Sequence, residues 1–121
     1  MSARRTVGDD AWQSVCRLED LEVERGATAL VHGQAVALFR MADDVVHALG
    51  NHDPFGRSST LARGIVGVRD GVPFVALPTH RHAFDLRTGV CLDQPGVQVP
   101  AFEVRVDGGV VLVGARKHVP A

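Results

Sequence analysis

Apolar positions along the chain recur in short alternating runs, which is the period of strands rather than of helices. Residues 12–17, WQSVCR, alternate loosely, and an acidic connector, LEDLEVERG, separates them from ATALVHG. His32 and Gly33 form a tight turn into QAVALFRM, a first hairpin. Asp43 and Asp44 then turn into VVHALGN. Residues 50–64 lack a sustained apolar pattern and hold one brief turn, STLAR, which Ser58 or Ser59 could cap. IVGVRDGVPFVALP reads as a hairpin around Asp70 and Gly71, the strongest such signal in the chain. HAFDLRTGVCLD is a further strand with a Thr-Gly turn, and VPAFEVRVDGGVVLVGA closes as a hairpin around Asp107, Gly108 and Gly109. The tail RKHVPA is polar and expected to fray. Turn signals at intervals of about 8–12 residues predict roughly nine or ten strands in an all-β sandwich or small barrel. No long amphipathic helix and no internal repeat is visible.

Composition narrows the picture only a little. A chain of 121 residues with 45% hydrophobic and 22% charged residues fits one globular domain, here 1–121 with a core over 12–115 and polar tails at 1–10 and 116–121. The formal charge of −1 and the scattered basic residues argue against a nucleic-acid partner. No apolar run approaches the roughly 18 residues needed to cross a bilayer, and MSARRTVGDD has no apolar segment behind its arginines, so no membrane or secretory role is expected. Cys16 and Cys91 are the only cysteines and form no metal-binding or redox pair in sequence. They read as packed thiols in a reducing cytoplasm.

Most catalytic signatures are missing. Neither GxGxxG nor GxxxxGK[ST] nor GxSxG occurs. Ser58, His80 and Asp85 supply a hydrolase trio on paper, as almost any chain of this size would. His80 and His82 form an HxH pair whose side chains share one face of an extended strand. With His52 and Asp53 they make a mixed nitrogen and oxygen metal site conceivable, while solvent-facing or hydrogen-bonded histidines are the simpler reading.

The two loop segments carry more information. GNHDPFGRSSTLARG (50–64) and LPTHRHAFDLRTG (77–89) resemble the cluster-binding loops of Rieske [2Fe–2S] domains, in which two Cys and two His hold the irons. On that pattern Asp53 occupies the first-loop Cys position and Phe55 the first-loop His position. Leu77 occupies the second-loop Cys position and His80 the second-loop His. Pro78, Phe84, Asp85, Thr88 and Gly89 match the frame, so the scaffold is kept and three of its four ligands are replaced. The resemblance implies an all-β Rieske-like (ISP) fold of antiparallel sheets, with two hairpin loops at the former cluster site and no cofactor on this chain. Phe55 and Leu77 are suited to filling the gap with carbon, at about 3–5 kcal/mol for Phe55 if it is fully buried. Asp53 before Pro54 is suited to forming a turn.

A narrower resemblance rests on VALFR (36–40), ALGNHDPF (48–55), LARGIVG (61–67), GVPFVALP (71–78) and FDLRTGVCLD (84–93). Together they are similar to the small subunits of assimilatory NAD(P)H-dependent nitrite reductases. That likeness implies an accessory subunit in nitrate assimilation, with no active site of its own. Its implied partner is a large subunit bearing FAD, an iron–sulfur cluster and sirohaem, which reduces nitrite to ammonium. Arg57, Arg63, Arg81 and Arg87 flank the two loops and are candidate docking residues. A stand-alone cluster-free interaction module of another oxidoreductase, or a Rieske-type ferredoxin, are the alternative readings.

Overall fold

A computed structural model describes residues 12–55, 60–77, 82–94 and 96–118. Among these, nine strands run β1 (Gln13–Arg17), β2 (Gly26–Val31), β3 (Gln34–Arg40), β4 (Val46–Gly50), β5 (Ile65–Arg69), β6 (Val72–Ala76), β7 (Ala83–Asp85), β8 (Ala101–Asp107) and β9 (Val110–Arg116). One antiparallel sheet has the order β1-β9-β8-β4-β3-β2, and a second has the order β5-β6-β7. The chain is all-β, as its periodicity predicts. The Gln13 amide links the two outer strands of the larger sheet, donating to Leu30 O (3.0 Å) and accepting from His32 N–H (3.1 Å). That link brings the sheet close to a closed barrel.

The run Val36, Ala37, Leu38 and Phe39 explains how the layers join. All four residues are essentially buried, although alternate side chains of a strand point to opposite faces. Val36 and Leu38 pack with Val111 and Val113 on one face of the sheet. Ala37 and Phe39 pack with Val75, Leu77 and Phe84, against the three-stranded sheet. A continuous apolar run of this kind marks a strand covered on both sides.

The turns follow from local stereochemistry. Asp70 and Gly71 both adopt positive φ (52° and 79°), as do His32 and Gly33 (50° and 81°) and the pair Gly108 and Gly109 (58° and 82°). Two adjacent left-handed residues are what a tight hairpin requires.

Three expectations are corrected. The short turn after residue 60 is a 3₁₀ turn over Leu61–Arg63 whose N-cap is Thr60, with no side-chain cap. The N-cap position is thus Thr60 in place of the expected Ser58 or Ser59, which lie outside the described residues. HAFDLRTGVCLD is not one strand: β7 has three residues before the chain turns, and Phe84 then bridges Cys91. The start of the tail is held rather than frayed. Arg116 ends β9, Lys117 N–H donates to Ala101 O at 2.7 Å, and Lys117 Nζ donates to Arg87 O at 3.0 Å.

His47 on β4 gives the fold a pH response. Burial is the main force lowering its pKa below 6.5, Lys117 adds to this, and Asp43 and Asp85 oppose it more weakly. A histidine whose folded pKa is depressed takes its proton more readily when unfolded. It therefore contributes stability that is fully present above pH 6.5 and lost as the pH falls from there towards the folded pKa. Thermal melts between pH 8 and pH 5 are expected to show a decline below about pH 6.5 that His47→Gln flattens.

Candidate functional site

The first loop is zipped at its neck. Asn51 is buried, its N–H donates to Ala35 O (3.1 Å), and its carbonyl accepts Leu61 N–H (3.0 Å). Its side-chain Oδ1 accepts Ala62 N–H at 3.0 Å, and His52 bridges Thr60. An asparagine here therefore ties both ends of the loop together. Gly26 on β2 lets this neck approach closely, since a Cβ there would lie 2.1 Å from Ala62 O.

Beyond the neck, Asp53 is fully buried and its Oδ1 accepts Phe55 N–H at 2.9 Å. A carboxylate accepting the backbone N–H two residues on is an Asx turn, the local use that Asp-Pro favours. Phe55 is half-buried, and its ring lies flat on the His82 imidazole, with centroids 3.9 Å apart and planes within 13°. Phe84 stands behind it at 6.0 Å. Leu77 is 3% exposed and lies in the same core cluster as Phe84 and Leu61. A phenyl–imidazole stack thus clasps the first loop to the strand after the second.

The groups available here do not fit an iron–sulfur cluster. Cluster iron needs thiolate sulfur and imidazole nitrogen. Phe55 and Leu77 have no donor atoms, and Asp53 spends an oxygen on its own loop. His80 lies outside the described residues. The metal reading of His52, Asp53, His80 and His82 gains nothing from the geometry, because His52 is exposed while the His82 ring is stacked. Among the described residues no three His, Cys, Asp or Glu side chains converge to hold a metal ion.

The remaining candidates are placed as follows. Ser58 and His80 of the paper trio lie outside the described residues. Asp85 is engaged by Arg87 through N–H (2.8 Å), Nε (3.1 Å) and Nη2 (3.0 Å). Burial raises the pKa of Asp85, but these hydrogen bonds outweigh it and hold the carboxyl below its ordinary value. Cys91 is buried against core carbon, and burial followed by the Asp20 charge pushes the Cys16 thiol up. Neither has the electropositive setting of a reactive cysteine. Of the docking arginines, Arg87 is committed to Asp85, while Arg63 is exposed at the end of the 3₁₀ turn. Arg57 and Arg81 lie outside the described residues.

The frame is that of a known family. Residues 11–114 match the Rieske-like [2Fe-2S] domain. The chain is 38% identical over 101 residues to the nitrite reductase (NADH) small subunit of Escherichia coli K12, covering 83% of this chain and 94% of that one. A crystal structure assigned as an NADH-dependent nitrite reductase small subunit from Mycobacterium tuberculosis superposes with a TM-score of 0.82. It is 44% identical, and the match covers 89% of this chain and 96% of that one. This chain belongs to the Rieske-like small subunits of NAD(P)H-dependent nitrite reductase. One further match bears on how such small subunits work. The nitrite reductase [NAD(P)H] large subunit of Klebsiella oxytoca contains a stretch 35% identical to 103 residues of this chain, covering 85% of this chain and 11% of that protein. In that protein the small-subunit-like stretch is part of the large-subunit polypeptide itself. At the positions that the Rieske resemblance assigns to three of the four ligands the chain carries carbon and a turn-forming carboxylate, and among the described residues no group of side chains converges to hold a metal ion.

Truncating the stack tests its structural part. A fully buried Phe→Ala change costs about 3–5 kcal/mol, and a half-buried ring with one stacking partner should cost about 2 kcal/mol. Phe55→Ala is therefore expected to lower the denaturation midpoint while leaving the far-ultraviolet spectrum unchanged.

Proposed function

We propose that the chain acts as one Rieske-like domain that docks on, and supports, the large subunit of a cytoplasmic NAD(P)H-dependent nitrite reductase. The large subunit would carry FAD, an iron–sulfur cluster and sirohaem and perform the reduction of nitrite to ammonium. This chain would carry no electrons. The reading rests on a Rieske frame whose ligand positions hold Asp53, Phe55 and Leu77. The Klebsiella oxytoca protein supports it, because a domain covalently joined to a large subunit works beside it. Among the described residues no helix is long and apolar enough to cross a membrane. Arg57, Arg81 and Arg87 are proposed docking positions around the loops.

Co-expression with the large subunit tests the reading. The two chains are expected to co-purify, and the large subunit made alone is expected to lose nitrite-reducing activity faster on storage or heating. Full activity and stability of the large subunit alone, with no association between the chains, would remove the proposal.

A further inference from the structure

Two cavities, one adjoining the first loop and one beside Thr88, share Gln98, Val99 and Pro100 as a common wall. One, of about 290 Å³, is lined by Thr88 and by three consecutive basic residues, Arg116, Lys117 and His118. The other, of about 350 Å³, is walled by carbon from Ala35, Pro54, Pro100 and Phe102. Among the described residues neither has an Asp or Glu on its walls, in a chain whose net charge is −1. Arg116 is exposed and makes no ion pair among the described residues. Lys117 is held in place by its bonds to Ala101 O and Arg87 O, so its charge is fixed beside the cavity. The same charge lies near enough to His47 on β4 to add to the lowering of its pKa, after burial.

A cationic recess beside an apolar one suits a ligand with a carboxylate next to an apolar side chain. Charged groups at such a boundary select partners by complementarity, and the apolar recess takes the anchoring side chain. We propose that this paired recess is the docking site for an extended acidic and apolar segment of the large subunit, which lies astride residues 98–100. The proposal rests on the partnership proposed above. It places the contact on the Pro54 and Arg87 side of the loops rather than on the Arg63 side.

The test uses the full chain with the co-expressed large subunit and three single variants, Arg116→Glu, Ala35→Glu and Arg63→Glu. All three residues are exposed, so each variant should melt close to the native chain. Arg116→Glu and Ala35→Glu are each expected to weaken association about tenfold or more, with Arg63→Glu within about twofold of the native chain. Association should also weaken as salt is raised, and less steeply for Arg116→Glu. Native binding of the large subunit that survives both Arg116→Glu and Ala35→Glu overturns this site and leaves the partnership intact. Absence of native binding overturns both. A dimer of this chain that Arg116→Glu dissociates would assign the recess to a second copy and overturn the proposal.

Discussion

Anaerobic reconstitution with iron and sulfide is expected to leave the native chain colourless and to turn the triple variant Asp53→Cys, Phe55→His and Leu77→Cys brown. At the ligand positions that the Rieske resemblance assigns, the native loops carry a carboxylate and two carbon side chains, where a cluster-bearing domain has two thiolates and an imidazole. The Asp53 carboxylate is already bound to Phe55 N–H, and the Leu77 side chain packs in the core cluster with Phe84 and Leu61. The triple substitution restores the Cys and His set alongside His80, within a frame whose neck bonds through Asn51 are untouched. Without metal the variant should be less stable than the native chain. Leu77→Cys removes buried carbon at about 2 kcal/mol, and losing the Asx turn removes about 1 kcal/mol more. Metal that binds only the folded state restores stability by mass action, so the melting point should rise on loading. Iron analysis should give about two irons per chain in the variant and almost none in the native protein. A native chain that takes up two irons and shows visible charge-transfer bands would refute the assignment of a cluster-free subunit.

Those features that depend on a few neighbouring residues are legible in the sequence. The hairpins at Asp70 and Gly71 and at Gly108 and Gly109 are set by positive φ, which residue type alone announces. The Asx turn at Asp53 is likewise local. The stack of Phe55 on His82 is not legible, because an HxH pair fits solvent-facing histidines or metal ligands equally in residue type, and only the fold lays one imidazole on a phenyl ring. The clamp of Arg87 on Asp85 was hidden because an arginine beside a loop reads first as a docking charge. Lys117 was hidden because polar terminal residues read as frayed, while its partners, Ala101 and Arg87, are distant in sequence. In each case the missing information is tertiary, and the residue type was compatible with both outcomes.

The largest loss of stability is expected from a single methyl group. Gly89 has φ +81°, and a Cβ there would lie 2.1 Å from the carbonyl oxygen of Val99. Backbone on both sides resists the shift that would relieve this clash. Gly89 N–H donates to Asp85 O at 2.7 Å, and Val99 N–H donates to Gly89 O at 2.9 Å. Gly33 is the natural control, because it has the same φ of +81° but nothing within 4 Å of its would-be Cβ. Gly33→Ala should cost only the left-handed penalty, about 1–2 kcal/mol. Gly89→Ala adds displacement of a hydrogen-bonded carbonyl, and the total should reach about 4 kcal/mol or more, a large part of the roughly 5–15 kcal/mol that holds a domain folded. The Gly89→Ala melting point should therefore fall by about 15 °C or the chain should fail to accumulate, against a drop of about 5 °C for Gly33→Ala. Equal losses in the two variants would mean that torsion alone matters at Gly89, and that the close packing of residues 85–90 on the Val99 segment does not constrain the turn.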